Sequence, residues 1–289
     1  MAEGIPQNRR ESSAGRKGGV SVLPVIIYAV MEALILAFLI MLELRGEKPV
    51  LQTALMYGSI VLNTAAALVF LMIRLVSGRK TVRVKAVEAL TEAAEQAQKA
   101  RIRTVFRILF HGLALLFTLA ADTVLVLLDR WYFWGVLLFC IVQTFYALVL
   151  RGKTGVLIVR IGCFLLVTAA LFLLHMAEPL TVASAYSITQ LTINMVLAWV
   201  RVFRRKRTAD SDRIGQKGAG TLLAALGLSL FFLCDVSVGI FNLNYSIHGY
   251  TMLTRVSGFL MWVFYLPSQV LLVLSFWRRL WDRKIGRTT

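Results

Sequence analysis

The stretch from Leu116 to Trp131 reads LFTLAADTVLVLLDRW and places an acidic residue, Asp122, inside an apolar run. The run has the length and composition of a membrane helix. A charged side chain at the centre of a bilayer costs roughly 2.5–3.5 kcal/mol even on the mildest insertion scales, so intramembrane acids are rare and usually functional. The stretch therefore predicts that the chain crosses a membrane and that Asp122 has a function there; a purely structural role is the alternative.

The composition of the whole chain points to lipid as its surroundings. Of 289 residues, 58% are hydrophobic, and the mean hydropathy is +0.73. A soluble domain of this length could not bury so much apolar surface. The net charge of +17 does not indicate nucleic acid, because the basic residues flank apolar runs and no nucleic-acid-binding motif accompanies them. We therefore expect an integral membrane protein without a nucleic-acid partner.

Eight segments are long and apolar enough to span a bilayer, which takes about 20 residues. No strand-like alternation competes with them. The fold class predicted is all-α, a polytopic membrane protein with eight transmembrane helices. The membrane domain covers residues 20–277 between an N-terminal tail (1–19) and a basic C-terminal tail (278–289), and its spans are Val20–Leu42, Val50–Val76, Thr104–Leu128, Trp131–Leu150, Gly155–Leu174, Leu180–Val202, Thr221–Phe241 and Thr251–Trp277.

The connections between these spans alternate in charge. The basic ones are both tails, the segment 79–103, the pair Arg151 and Lys153, and the run RRKR at Arg204–Arg207. Basic loops stay in the cytoplasm, so we expect a plasma-membrane protein with both termini cytoplasmic. Within the longest loop, Arg83–Arg103 is rich in Ala, Glu, Lys and Gln and predicts a cytoplasmic helix. A structural extension and a partner-binding helix are the two interpretations.

A second intramembrane acid, Asp235, repeats the context of the first. The segment LFFLCDVSVGIF (Leu230–Phe241) again has Leu-Phe shortly before an aspartate. Asp122 lies seven residues before Asp129, and Asp235 lies seven before Asn242. At 1.5 Å per residue, both acids are expected roughly 10 Å below the outer ends of their helices. Two carboxyl groups at one depth predict a shared pocket that opens toward the outer side.

The spans that follow the two acids also resemble each other. Each carries polar and aromatic residues on one helix face: Phe139, Gln143 and Tyr146 in the fourth, and Trp262, Tyr265 and Gln269 in the eighth. Spans three and four thus resemble spans seven and eight. This pattern favours a parallel repeat of four helices plus four, with the site between the halves.

The other intramembrane polar residues have open or structural interpretations. Glu32 is either a third carboxylate of the site or the partner of a polar group on a neighbouring helix. Asn63 and Asn194 are typical of hydrogen bonds between helices. Arg160 and Arg255 lie near helix ends, from which long side chains reach the membrane surface.

The cysteines and histidines indicate no metal and no disulfide. Cys140, Cys163 and Cys234 all lie inside spans, and the three histidines are far apart in the chain. Neither set has the spacing of a metal site or a disulfide framework. We therefore expect no cofactor.

These residues, taken together, resemble the YhhN-type membrane lysoplasmalogenases, which also have eight predicted spans. The resemblance runs from Lys48 to Ser275, interrupted by Arg83–Arg103. Matching positions occur at Lys48-Pro49, Asp122, Gly135, Phe139, Tyr146, Pro179, Tyr186, Asp235, Tyr265 and Gln269. Where the family has a glycine, a histidine and a serine, this chain has Ala121, Gln143 and Cys234.

The resemblance implies hydrolysis of the vinyl-ether bond of a lysoplasmalogen, with Asp122 and Asp235 as the catalytic acids. It implies that the substrate is a lysophospholipid. Lys48 either attracts the phosphate of this substrate or is an ordinary interfacial anchor. Water and the glycerol oxygens would be held by the remaining polar residues, which are Gln143, Tyr146, Tyr186, Tyr265, Gln269 and, in one of its two interpretations, Glu32. The rival class is a proton-linked transporter or a sensor that uses the same acidic pocket, since intramembrane acids also serve proton relays.

Overall fold

The structure is a computed structural model that describes residues 23–45, 49–82, 92–128, 131–150, 154–208 and 219–285. Within these ranges all regular structure is helical. A π-helical segment, Thr123–Leu127, directly follows the third helix. The α-helices in chain order are α1 (Leu23–Arg45), α2 (Pro49–Val82), α3 (Glu92–Asp122), α4 (Tyr132–Val149), α5 (Thr154–Leu173), α6 (Pro179–Thr208), α7 (Ala219–His248) and α8 (Met252–Ile285).

Each described helix contains a segment long and apolar enough to cross a membrane. The mean hydropathy of these segments ranges from 1.2 to 2.7. The prediction of an all-α polytopic membrane protein with eight spans is therefore confirmed. In a bilayer a helix satisfies all of its own backbone hydrogen bonds, which explains why apolar runs of this length adopt no other structure.

Several helices extend beyond the predicted spans. α3 begins at Glu92, so the helix predicted for Arg83–Arg103 is confirmed from Glu92 onward and joins the third span without a break. α7 continues seven residues past Phe241, and α8 continues to Ile285. Hydropathy marks where the apolar stretch stops, whereas good helix formers and local hydrogen bonds carry the helix further.

Six helices form a closed ring in the order α2, α3, α4, α6, α7 and α8. α1 packs on the outside against α2 and α8, and α5 packs on the outside against α6. The buried apolar core lies inside the ring and is centred on residues such as Leu191, Leu228, Phe231 and Leu266. α3 and α8 also contact each other across the ring, which brings the end of α3 close to the middle of α8.

The tightest helix pair is α7 with α8, and small residues explain its closeness. A Cβ atom on Gly227 would lie 3.1 Å from the backbone oxygen of Ser268 and 3.0 Å from the side chain of Leu272. Membrane helices gain little from the hydrophobic effect when they associate, so close backbone approach at small residues supplies much of their attraction. Gly227 therefore fixes the distance between the two helices.

The predictions for residues 1–19, 83–91 and 286–289 and for Lys48 lie outside the described residues, whereas residues 278–285 of the predicted C-terminal tail belong to α8. The 4+4 repeat stays a prediction: the structure shows that the α3–α4 and α7–α8 hairpins each pack tightly, which is compatible with a repeat but does not establish one.

Candidate functional site

The first acid of the site, Asp122, is the last residue of α3 and is buried with 4% of its surface exposed. The helix widens directly after it into the π-helical segment. π-helical turns inside α-helices are rare and occur frequently at functional sites. Next to Asp122, the Thr123 hydroxyl donates to the backbone oxygen of Leu119 at 2.7 Å and lies 3.1 Å from the Tyr57 hydroxyl. These contacts hold the chain on both sides of the acid.

Tyr265 of α8 donates a hydrogen bond from its hydroxyl group to Oδ2 of Asp122. Its ring meets Phe231 and Trp262 edge-on, at centroid distances of 5.9 and 5.8 Å. The Ser268 hydroxyl donates to the backbone oxygen of Tyr265 at 2.6 Å. The phenol is therefore held by packing on its ring and by a hydrogen bond on its backbone, so that it presents its hydroxyl to the acid in a fixed direction.

The second acid, Asp235 of α7, lies close enough to Asp122 for the two carboxyl groups to interact electrostatically. It is half-buried. Cys234 interacts in the same way with both aspartates, and Tyr132 interacts with Asp235. Among the described residues none donates a hydrogen bond to the Asp235 side chain, which leaves its oxygens available to water or a ligand. The two predicted acids, one on α3 and one on α7, therefore lie within range of electrostatic interaction.

The end of α7 differs from the sequence prediction. Asp235 lies 13 residues before the last residue of the helix, His248, or about 20 Å rather than about 10 Å along the axis. Asn244 donates to the hydroxyl groups of Thr251 and Thr254, each at 2.5 Å. These bonds fix the turn into α8 and allow the helix to continue past the apolar stretch, so the predicted depth of Asp235 below its helix end is wrong.

Tyr146 and Gln269 lie near Tyr265. Tyr146 is buried, interacts electrostatically with Tyr265, and meets the His111 ring edge-on at 5.6 Å. Gln269, one turn beyond Tyr265, is also buried, and its Nε2 lies 3.5 Å from the Ser268 hydroxyl. Tyr146 therefore lies near the tyrosine that bonds to Asp122, and Gln269 lies one turn from that tyrosine on α8.

Gln143 of α4 and Tyr186 of α6 instead make hydrogen bonds between these two helices. The Asn194 amide donates to Oε1 of Gln143 at 3.2 Å and to its backbone oxygen at 3.0 Å. The Tyr186 hydroxyl lies 2.9 Å from the Thr144 hydroxyl, and the Tyr186 ring meets Phe164 edge-on. The described hydrogen bonds therefore link these two predicted site residues to a different polar cluster from the aspartates.

Glu32 lies in a polar cluster between α1 and α2. Its carboxylate accepts hydrogen bonds from Ser59 at 2.5 Å and from Asn63 at 3.1 Å, and Tyr28 donates to the same asparagine. Of the two sequence interpretations, this arrangement corresponds to the partner of polar groups on a neighbouring helix. It also explains Asn63 as a residue that links two helices.

Several residues near the acids could not be predicted from the sequence, and the predicted position of Arg160, which lies away from the acids, is wrong. Neither the contact of Tyr57 with Thr123 nor the π-helical segment can be predicted from the pattern of apolar residues in one sequence. Tyr132, which accepts a hydrogen bond from Asn242 at 3.1 Å, begins a span and is typical of an interfacial aromatic. Arg160 was expected to reach the membrane surface but is buried with 7% of its surface exposed, because side chains of α6 bind it.

The π-helical segment rests on Gly135, which gives a prediction about stability. A Cβ atom at this position would lie 2.4 Å from Cγ of Leu125 in that segment. Gly135→Ala is expected to lower the free energy of unfolding by about 1–3 kcal/mol, the usual cost of overpacking. Gly162→Ala in α5 is the matched control, since nothing lies within 4 Å of its Cβ position. Unfolding in detergent should rank Gly162→Ala above Gly135→Ala in stability, and the reverse order would contradict the packing described.

The chemistry open to this site is that of paired acids in an apolar enclosure. Low dielectric favours the protonated form of a carboxyl group, and a second carboxylate nearby favours it further for one of the two. Such a pair can supply one proton donor and one carboxylate at the same time. Within the described residues no group of three His, Cys, Asp or Glu side chains is placed to hold a metal ion.

Comparisons with known proteins give no match: no family model, no curated protein and no solved structure matches the sequence.

Proposed function

We propose that this membrane protein hydrolyses the vinyl-ether bond of lysoplasmalogens to a fatty aldehyde and a glycerophospho-base. The observation that carries the proposal is the acid pair inside the helix ring, with Asp122 held by Tyr265 and Asp235 beside it. The resemblance of the sequence to YhhN-type lysoplasmalogenases supports it, since both aspartates and Tyr265 fall at matching positions.

The reaction needs the groups that the pair can provide. A vinyl ether resists hydroxide but yields to acid: protonation of its outer carbon gives an oxocarbenium ion, and water then adds to the carbon that bears the oxygen. The resulting hemiacetal breaks its bond to the glycerol oxygen and leaves an aldehyde and an alcohol. One carboxylic acid donates the proton, while one carboxylate stabilises the cation and takes a proton from water. Glycosidases meet a related oxocarbenium ion with two acids.

The surroundings of the pair suit a chain-bearing ether. Phe139, Phe231 and Trp262 form an aromatic wall around Tyr265, with Phe139 and Phe231 edge-on at 5.7 Å. Such a wall excludes bulk water and provides an apolar surface for the alkenyl chain of the ether without a special motif. Asp235 is half-buried, whereas Asp122 is buried and bonded to Tyr265, so we assign Asp235 as the acid that substrate and water reach first.

The location and orientation of the chain are part of the proposal. The protein lies in the plasma membrane, and both termini and the basic loops are on the cytoplasmic side. In a background without Cys140, Cys163 and Cys234, cysteines introduced at Ser12, Lys99 and Lys206 are expected to resist an impermeant thiol reagent in intact cells. A cysteine at Tyr250, in the exposed turn between α7 and α8, is expected to react. Ready labelling at Ser12 with protection at Tyr250 would reverse the orientation.

The test of function is aldehyde release from a lysoplasmalogen by purified protein, with the saturated ether analogue as control. Only the vinyl ether should be cleaved, since protonation of its double bond starts the reaction. The second candidate is a proton-linked transporter, favoured by the same intramembrane acids. Purified protein in vesicles that drives solute uptake with a proton gradient, and releases no aldehyde, would select this alternative.

A further inference from the structure

A buried arginine outside the acidic site has no charged partner. The helix α5 packs mainly against α6. Arg160 is the one residue of α5 whose side chain is buried. It lies six residues after Thr154, or about 9 Å along the helix axis. Its side chain reaches from a helix at the edge of the bundle into the protein, instead of turning to the membrane surface.

Neutral amides hold the guanidinium group. Arg160 donates from Nη1 to Oε1 of Gln190 at 2.5 Å and from Nη2 to Oδ1 of Asn194 at 2.7 Å. Amide oxygens satisfy hydrogen bonds but do not neutralise charge. In the part of the chain that the structure describes, no carboxylate lies within ion-pair distance of Arg160. A lone buried charge of this kind is costly in a low-dielectric interior.

The cluster around Arg160 has more donors than acceptors. A guanidinium carries five N–H groups, and the two bonds to amides leave several unused. Gln143 is fully buried, and its Nε2 has no hydrogen-bond partner among the described residues, although its Oε1 accepts from Asn194. Tyr186 lies beside Arg160 and shares a hydrogen bond with Thr144. An anionic oxygen group would balance both the charge and the surplus donors.

We propose that the Arg160 cluster, formed by Arg160, Gln143, Gln190 and Asn194, binds the phosphate of a phospholipid at the edge of the bundle. Arginine forms strong bidentate hydrogen bonds to phosphate. The N–H groups of the Arg160 guanidinium that do not bond to Gln190 or Asn194 are available for such bonds. α5 exposes most of its apolar surface, so a lipid chain can lie along it while the phosphate reaches the cluster. The site is distinct from the aspartate pair and does not depend on the proposed hydrolysis.

Binding to full-length protein in neutral detergent tests the proposal, with the thermal unfolding midpoint as the readout. The ligands are oleoyl lysophosphatidic acid, monooleoylglycerol and inorganic phosphate. Lysophosphatidic acid should raise the midpoint and monooleoylglycerol should not, since it lacks the phosphate. Stabilisation by inorganic phosphate at the same concentration would identify a soluble anion as the ligand and overturn the lipid part of the proposal.

The matched variants are Arg160→Gln and Arg255→Gln, the latter in an exposed arginine near the start of α8. Arg160→Gln should weaken lysophosphatidic acid binding at least about tenfold, the loss of one charge-assisted contact, while Arg255→Gln keeps it. If Arg160→Gln does not fold, Arg160→Lys retains the charge without the fork and should also bind more weakly. Equal binding by the wild type and a folded Arg160 variant would overturn the proposal.

Discussion

Replacing Asp122 by asparagine is expected to lower the rate of vinyl-ether hydrolysis at least about 100-fold, the low end for loss of general acid–base catalysis. Asparagine keeps the size of the side chain and can still accept the hydrogen bond that Tyr265 donates to Asp122. It cannot exchange a proton or carry a negative charge. The loss should therefore appear in kcat, measured as aldehyde release at saturating lysoplasmalogen.

Glu32→Gln is the matched control, because Glu32 is also a buried intramembrane acid but binds Ser59 and Asn63. We expect it to retain turnover within a few-fold of the wild type. Both variants should fold, since each removes an ionisable group from the membrane and keeps a polar side chain of the same shape. A folded Asp122→Asn protein with normal turnover would exclude an acid–base role for this residue.

Replacing Asp235 by asparagine should reduce turnover by a similar factor of at least about 100. The side chain of Asp235 accepts no hydrogen bond from the described residues, so the substitution disturbs little besides the chemistry. The double variant Asp122→Asn/Asp235→Asn is expected to be little slower than either single variant, because groups that act as a unit have non-additive effects.

Measuring kcat for the two single variants and the double variant tests this coupling. If the losses multiply, so that the double variant is slower by the product of the two single factors, then the aspartates act independently and the shared site is contradicted. Thermal unfolding of all three proteins in detergent provides the control for folding.

The membrane fold could be predicted from the sequence because few backbone conformations satisfy their own hydrogen bonds inside a bilayer. Apolar runs of about 20 residues must form helices that satisfy their own backbone hydrogen bonds, and eight such runs gave eight helices. The end of α7 could not be predicted in this way. It depends on hydrogen bonds from Asn244 to Thr251 and Thr254, and hydropathy carries no information on them.

The candidate site was predictable only in part. Asp122 and Asp235 stand out because acids are costly in apolar spans, and in the structure they lie within range of electrostatic interaction. Which polar residues join them depends on the order of helices around the ring. Gln143 shares a face with Tyr146 in α4, yet its amide bonds to Asn194 of α6. Arg160 could not be distinguished from an arginine that reaches the membrane surface until its partners on α6 were known.

The central claim is that the aspartate pair protonates a vinyl ether, and one measurement in D2O tests it most directly. Wild-type protein and the Asp122→Asn/Asp235→Asn variant, matched for folded protein, are incubated with a lysoplasmalogen, and the fatty aldehyde is quantified by mass spectrometry. Protonation of the outer vinyl carbon predicts aldehyde from the wild type with a single deuterium on the carbon next to the carbonyl, and at least about 100-fold less from the variant. Aldehyde at equal rates from both proteins, or none from the wild type, would contradict the account.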